Sequence, residues 1–136
     1  MVITEKPMDE FTEACATNKV TVVEKMIKED KKIVNKKGKY GRTGLMDAVY
    51  NDNAITVSKI LSTEGVDIFK KSMNGNTVFH YACEFNSFNS LRLLLLQSQS
   101  SKELVRMRNN AGDTAKMLAQ KNKHAKCEKL ISEFLL

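Results

Sequence analysis

The sequence holds one proline, Pro7, and its longest purely aliphatic run is Leu93–Leu96. Such a run falls far below the ~20 apolar residues of a membrane-crossing helix, so no membrane partner is expected. The opening Met-Val-Ile-Thr-Glu-Lys-Pro has no basic stretch followed by an apolar one, which argues against a secretory signal. Cysteine is scarce as well: Cys15, Cys83 and Cys127 are an odd count without metal-ligand spacing. They predict small buried free thiols in a reducing compartment, cytoplasmic with the nucleus as the alternative.

The materials of catalysis are equally thin. There are 2 histidines, His80 and His124, and the carboxylates are scattered without the paired spacing of acid–base work. Gly38, Gly41 and Gly44 lie close together, but the Lys-Ser/Thr of a phosphate loop does not follow them. No catalytic residue, no metal site and no cofactor is expected, and the chain is not expected to be an enzyme.

What is present in quantity is ordinary. The 136 residues are 42% hydrophobic and 28% charged, the profile of a single soluble globular domain over 1–136. The net charge of +6 is uneven. Residues 1–35 carry 6 Lys/Arg against 7 Asp/Glu, and residues 36–136 carry 16 against 9. The positive excess beyond the first quarter suggests an acidic partner.

The organising feature is a repeat. Gly41-Arg42-Thr43-Gly44-Leu45-Met46-Asp47-Ala48 returns as Gly75-Asn76-Thr77-Val78-Phe79-His80-Tyr81-Ala82 and as Gly112-Asp113-Thr114-Ala115-Lys116-Met117-Leu118-Ala119, at steps of 34 and 37 residues. A period of this length means a stack of small units, none able to bury its apolar face alone. Such a stack presents a surface and encloses no reaction chamber.

Each unit reads as turn, helix, polar break, helix and extended stretch. Thr43 and Thr77 supply N-caps. Leu45/Ala48/Val49 and Phe79/Ala82/Cys83 form first-helix stripes, and Val57/Ile60/Leu61 and Leu91/Leu94/Leu95 form second-helix stripes. Gly65 is placed to end a helix in a left-handed conformation, with Val66–Phe69 extended beyond it. Asp52-Asn53 and Asn86-Ser87 are the breaks, and Gln97–Ser101 reads as a longer surface loop. Units fall at about 5–35, 36–69, 70–106 and 107–136. The first lacks its leading turn, with Phe11 and Ala14 in the apolar places. The last carries Lys116 where the others place Leu45 or Phe79.

Thr77-Val78-Phe79-His80-Tyr81-Ala82 resembles the Thr-Pro-Leu-His-x-Ala signature of the ankyrin repeat, and Gly65-Val66-Asp67-Ile68-Phe69 resembles that family's Gly-Ala-Asp-Val-Asn exit. The resemblance covers residues 9–136. It implies an all-α ankyrin-repeat solenoid of stacked helix-turn-helix units with protruding β-hairpin-like loops, acting as a protein-interaction module. The signature proline is replaced by Gly44, Val78 and Ala115, so Gly44 is expected to weaken its helix start by up to about 1 kcal/mol. His80 is implied to be structural, bonding within and between turns, and His124 is expected on the surface. Val34-Asn35 resembles a site hydroxylated in other ankyrin repeats, although Ile33 stands where an acid is usual.

The resemblance also implies a concave face made of hairpin tips and the exposed side of first helices. By register the tips are Lys39, Tyr40 and Arg42; Met73, Asn74 and Asn76; and Asn110, Ala111 and Asp113. The helix ends add Tyr50 and Asn51, Glu84 and Phe85, Lys121 and Asn122. Tyr40, Tyr50 and Phe85 are candidate anchors, the alternative being that Tyr50 or Phe85 folds over a neighbouring helix. Lys36, Lys37, Lys39, Arg42, Lys70, Lys71, Arg106 and Arg108 form a basic row along the tips. The expected partner is another protein, acidic at its contact rim, bound by a monomer. The alternative is a polyanion or nucleic acid bound through the basic row, although no nucleic-acid motif is present.

Overall fold

The computed structural model describes residues 9–136; Pro7 and the expected beginning of the first unit near residue 5 lie outside the described residues. In chain order the helices are α1 (Glu10–Ala16), α2 (Val20–Glu29), α3 (Gly44–Tyr50), α4 (Ala54–Leu61), α5 (Val78–Glu84), α6 (Phe88–Leu95), α7 (Lys102–Val105), α8 (Ala115–Lys121) and α9 (Ala125–Phe134). Short 3₁₀ turns cover Lys31–Asn35 and Lys39–Gly41. The described residues contain no strand, and the one β-bridge among them joins Lys37 to Thr43.

Helices this short are marginal alone, because one nucleation cost is spread over few hydrogen bonds. Caps and stacking supply the difference. Asp9, Thr43, Thr77 and Thr114 each accept a bond from a first-turn amide of α1, α3, α5 and α8. Asp9 thus does for the first unit what threonine does for the others, at the same offset of 34 residues before Thr43.

Packing runs in two rows. The inner helices α1, α3, α5 and α8 lie side by side, and so do the outer helices α2, α4, α6 and α9. Between the rows sits a continuous apolar core that includes Phe11, Val23, Leu45, Val57, Ile60, Phe79, Leu91, Leu94 and Ile131. Cys15, Cys83 and Cys127 are buried free thiols within it. Burial, the main cause, pushes the Cys15 and Cys83 thiols far up and Cys127 to about 11, so all three stay protonated and weakly nucleophilic.

Several local expectations need correction. Val66–Phe69 is not extended: Ile68–Phe69 forms a turn, with Phe69 N donating to Asp67 Oδ1 at 2.8 Å. Helix α4 ends earlier than Gly65, at Leu61 with Ser62 as C-cap, although Gly65 does hold φ +88° in the following turn. Leu95 is half-buried and packs against the core. Beyond the 97–101 loop, Lys102–Val105 closes into α7, which buries Leu104 and Val105.

That loop also performs a structural task. Gln99 Nε2 donates to Val66 O at 2.8 Å, and Gln99 Oε1 accepts from Ile68 N. One unit earlier Asn35 does the same, with Nδ2 donating to Gly65 O and Oδ1 accepting from Asp67 N, both at 2.8 Å. The polar breaks are ties as well. Asn18, Asp52 and Asn86 stand at positive φ, where their short polar side chains are tolerated. From there they accept bonds from Thr56, Ser90 and Cys127 of the next outer helix. Asn53 Nδ2 and His124 Nδ1 each donate at 2.8 and 2.9 Å to a carbonyl of the preceding unit, Cys15 O and Cys83 O. His124 is therefore half-buried and engaged, contrary to its expected place on the surface.

Candidate functional site

Three equivalent turns project from the stack, each closed by a backbone bond: Gly38 N to Arg42 O at 2.7 Å, Ser72 N to Asn76 O at 2.9 Å, and Asn109 N to Asp113 O at 2.9 Å. Gly41, Gly75 and Gly112 take positive φ at the tips, the conformation that costs glycine least. The turns are also bonded to one another, Met73 N to Tyr40 O and Asn110 N to Asn74 O, both at 3.0 Å. Consecutive tips thereby line up on one edge.

The side chains expected along this edge divide into two groups. Tyr40, Met73, Tyr50 and Phe85 are exposed, Met73 at 70%. Tyr40 sits at φ 59° with Lys39 Nζ 5.2 Å and Arg42 Cζ 5.4 Å from its ring centroid. Tyr50, at the end of α3, and Phe85, just past α5, face each other at 4.1 Å between centroids with a 33° interplanar angle. Tyr81, which sequence reasoning did not single out, stands 6.5 Å from Tyr50 and is buried beneath the pair. Each aromatic thus covers part of its neighbour and still offers a face to solvent. Lys70, Lys71 and Glu84 are half-buried, and Asn74 and Asn51 are exposed, with Asn51 Nδ2 donating to Asp47 O. Neither Lys70 nor Lys71 forms an ion pair among the described residues.

The second group is spent inside the fold. Asn76 Oδ1 accepts from Asn109, Asn110 Nδ2 donates to Met73 O, and the Asp113 carboxylate receives Lys121 Nζ with both oxygens at 3.0 Å. Arg106 and Arg108 are exposed and reach Leu135 O and Gly112 O, bonds that orient their guanidinium groups and leave their charges uncompensated. His80 is structural in fact as well as by resemblance. Its Nδ1 accepts from Thr77 N at 2.9 Å, which leaves Nε2 as the donor to Asp113 O at 2.9 Å. Burial, ahead of its other influences, holds the imidazole below its usual range and so neutral.

Arg42 is also committed, to a partner that the repeat pattern concealed. Its Nε donates to Asp47 Oδ1 at 2.7 Å, and Asp47 is buried where the third and fourth units carry Tyr81 and Leu118. The available signal was a carboxylate at a position the later units fill with apolar or aromatic residues, although the first unit carries exposed Glu13 there. Burial pushes the Asp47 carboxyl up to about 6, against the opposing pull of Arg42. Its ordinary value is 3.8, so the folded state binds this proton more tightly than the unfolded chain does. The associated stability is complete below about pH 4 and is lost as the pH rises through about 6, amounting to about 2–3 kcal/mol. Asp47→Asn is expected to flatten that part of the stability–pH curve, measured by urea unfolding at pH 4.5, 6.0 and 7.5. Parallel curves for variant and wild type would show that Asp47 does not titrate in this range.

No group of three His, Cys, Asp or Glu side chains among the described residues is placed to hold a metal ion. None of the described helices is long and apolar enough to cross a membrane. A family model described as ankyrin repeats (3 copies) matches residues 11–104 and, in a second register, 45–135. Ankyrin repeats are generally protein–protein interaction modules and typically non-catalytic. With stacked helix pairs, bonded turn tips and a match over nearly all of its length, the chain belongs to the ankyrin-repeat family.

Proposed function

We propose that this chain is a non-catalytic interaction domain that binds an acidic segment of another protein along the inner helices and turn tips. The Tyr50–Phe85 pair carries the proposal: two exposed aromatic rings, from adjacent units, are held 4.1 Å apart with buried Tyr81 beneath. Rigid aromatic anchors of this kind concentrate interface energy. Met73 and Tyr40 extend the apolar strip, and Lys36, Lys37, Lys39, Lys70 and Lys71 flank it as steering charge. The domain acts as a monomer, and its three buried thiols suit a reducing compartment, cytoplasm or nucleus. A polyanion mode through the same row is less well supported, since Arg42 is neutralised by Asp47.

The test is affinity capture from the source cells, followed by titration of the recovered partner against wild type and Tyr50→Ala/Phe85→Ala. Affinity is expected to fall about 10- to 100-fold, or about 1.4–2.8 kcal/mol. An unchanged dissociation constant would remove the anchor role. Binding whose logarithm falls steeply with salt and is insensitive to the aromatic pair would favour the polyanion mode.

A further inference from the structure

The outer surface of the stack changes character along its length. Between α2 and α4 an open hollow of about 790 Å3 is lined mainly by polar and charged side chains, with ion pairs from Lys59 Nζ to Glu24 at 3.0 Å and from Lys31 Nζ to Glu64 at 2.9 Å. Between α6 and α9 the lining is more apolar. By repeat offset Leu130 stands where α4 carries Lys59, Leu96 where α2 carries Lys28, and Arg92 where α2 carries Glu24. The Lys59–Glu24 pair of the first groove thus has no counterpart in the last among the described residues.

Two adjoining hollows result, of about 390 and 320 Å3. The first is bounded by Leu95, Leu96, Leu130 and Phe134, the second by Phe88 and Leu130, and Glu133 lies at both. Leu96 is 79% exposed. Around the rim stand Arg92, Lys126 and Lys129, none in an ion pair among the described residues, with Lys126 Nζ 5.8 Å from the centroid of the Phe88 ring. An exposed apolar groove with a basic rim marks an interaction site, because its leucines gain by leaving water and its cations lack partners.

We infer that the α6–α9 groove is a second docking site, on the opposite side of the stack from the turn-tip edge, for an acidic amphipathic helix of a partner protein. At 1.5 Å per residue, α6 and α9 run about 12–15 Å, the length of two to three helical turns. The occupant lays leucine- or phenylalanine-type residues at i, i+3, i+4 and i+7 into the groove and presents Asp or Glu to Arg92, Lys126 and Lys129. A second copy of the chain fits less well, since a two-fold contact would set these cations against their own counterparts. An anionic membrane also fits less well, because Leu95, Leu130 and Phe134 are recessed and Glu133 sits among them.

The probe is a fluorescein-labelled helical peptide of about fourteen residues with a leucine stripe and glutamate flanks, beside a lysine-flanked twin. The acidic peptide is expected to bind the full chain at least tenfold more tightly than the basic one in fluorescence anisotropy. Leu96→Glu, a change at an exposed position, and Leu130→Lys, which restores the residue type of the second unit, should each weaken binding at least tenfold. Tyr50→Ala/Phe85→Ala should leave it unchanged, which separates this site from the inner face. Circular dichroism melts confirm that the variants fold. Equal binding of the two peptides, or indifference to Leu96→Glu, overturns the inference. So does a dimer in sedimentation, or co-sedimentation with anionic vesicles, that Leu96→Glu abolishes.

Discussion

Replacing His80 with alanine is expected to destabilise the chain by about 3–4 kcal/mol, the largest single effect anticipated here. The imidazole is 1% exposed and connects two units, taking the Thr77 amide at one nitrogen and donating to Asp113 O from the other. Alanine leaves a void, strands the Thr77 amide, and takes away one of the two donors that reach Asp113 O, the other being Asn109 N. His80→Leu keeps most of the volume and forfeits both bonds, so it isolates the polar share, expected near 2 kcal/mol. Urea unfolding of the three proteins at pH 7 measures both shares. A loss below 1 kcal/mol for His80→Ala would mean that the two units are coupled mainly by apolar contact.

The second large effect reverses a sign. From helix propensity alone, Gly44→Ala should stabilise α3 by up to about 1 kcal/mol. In the folded chain an added Cβ would meet Phe11 Cε2 at 2.5 Å and Cys15 Sγ at 2.8 Å. Phe11 is 2% and Cys15 0% exposed, so neither has room to retreat. Overpacking of this kind costs about 1–3 kcal/mol and outweighs the propensity gain. We expect Gly44→Ala to lower stability by about 2 kcal/mol, and Phe11→Leu in the same chain to recover part of that loss. A more stable Gly44→Ala would show that α1 and α3 can part at little cost. Glycine at this place is thus a condition of close helix approach, where the sequence pattern suggested only a weak helix start.

The fold was legible because its signals are local and recur. Threonine caps, apolar stripes and tip glycines each depend on a few neighbours in the chain, and three copies in register reinforce one another. The candidate edge was legible in the same way, since Tyr40, Tyr50, Met73 and Phe85 come to the surface at the positions their register implies. Partnership between polar side chains was not legible. Arg42 with Asp47, Asp113 with Lys121, and Arg106 with Leu135 O turned residues expected to face a partner into members of the fold. Asp52 and Gln99 had looked like a break and loop polarity, and Asn35 like a site of modification, yet each closes a bond to a neighbouring unit. Those bonds depend on how one unit sits on the next, and no short stretch of sequence carries that information.

By itself, then, the sequence determined the repeat, its helix pairs and the buried cysteines, because each follows from periodicity and side-chain chemistry within a unit, while the structural role of His80 came from the resemblance to the ankyrin signature. Only the tertiary structure decided which charges remain free, which aromatics meet, why Gly44 cannot carry a side chain, and where an apolar groove opens between α6 and α9. The charge pairs form over a few residues, as between Arg42 and Asp47. The rest are properties of the contact between units, set by distances of a few ångströms across residues about 30 or more apart in the chain.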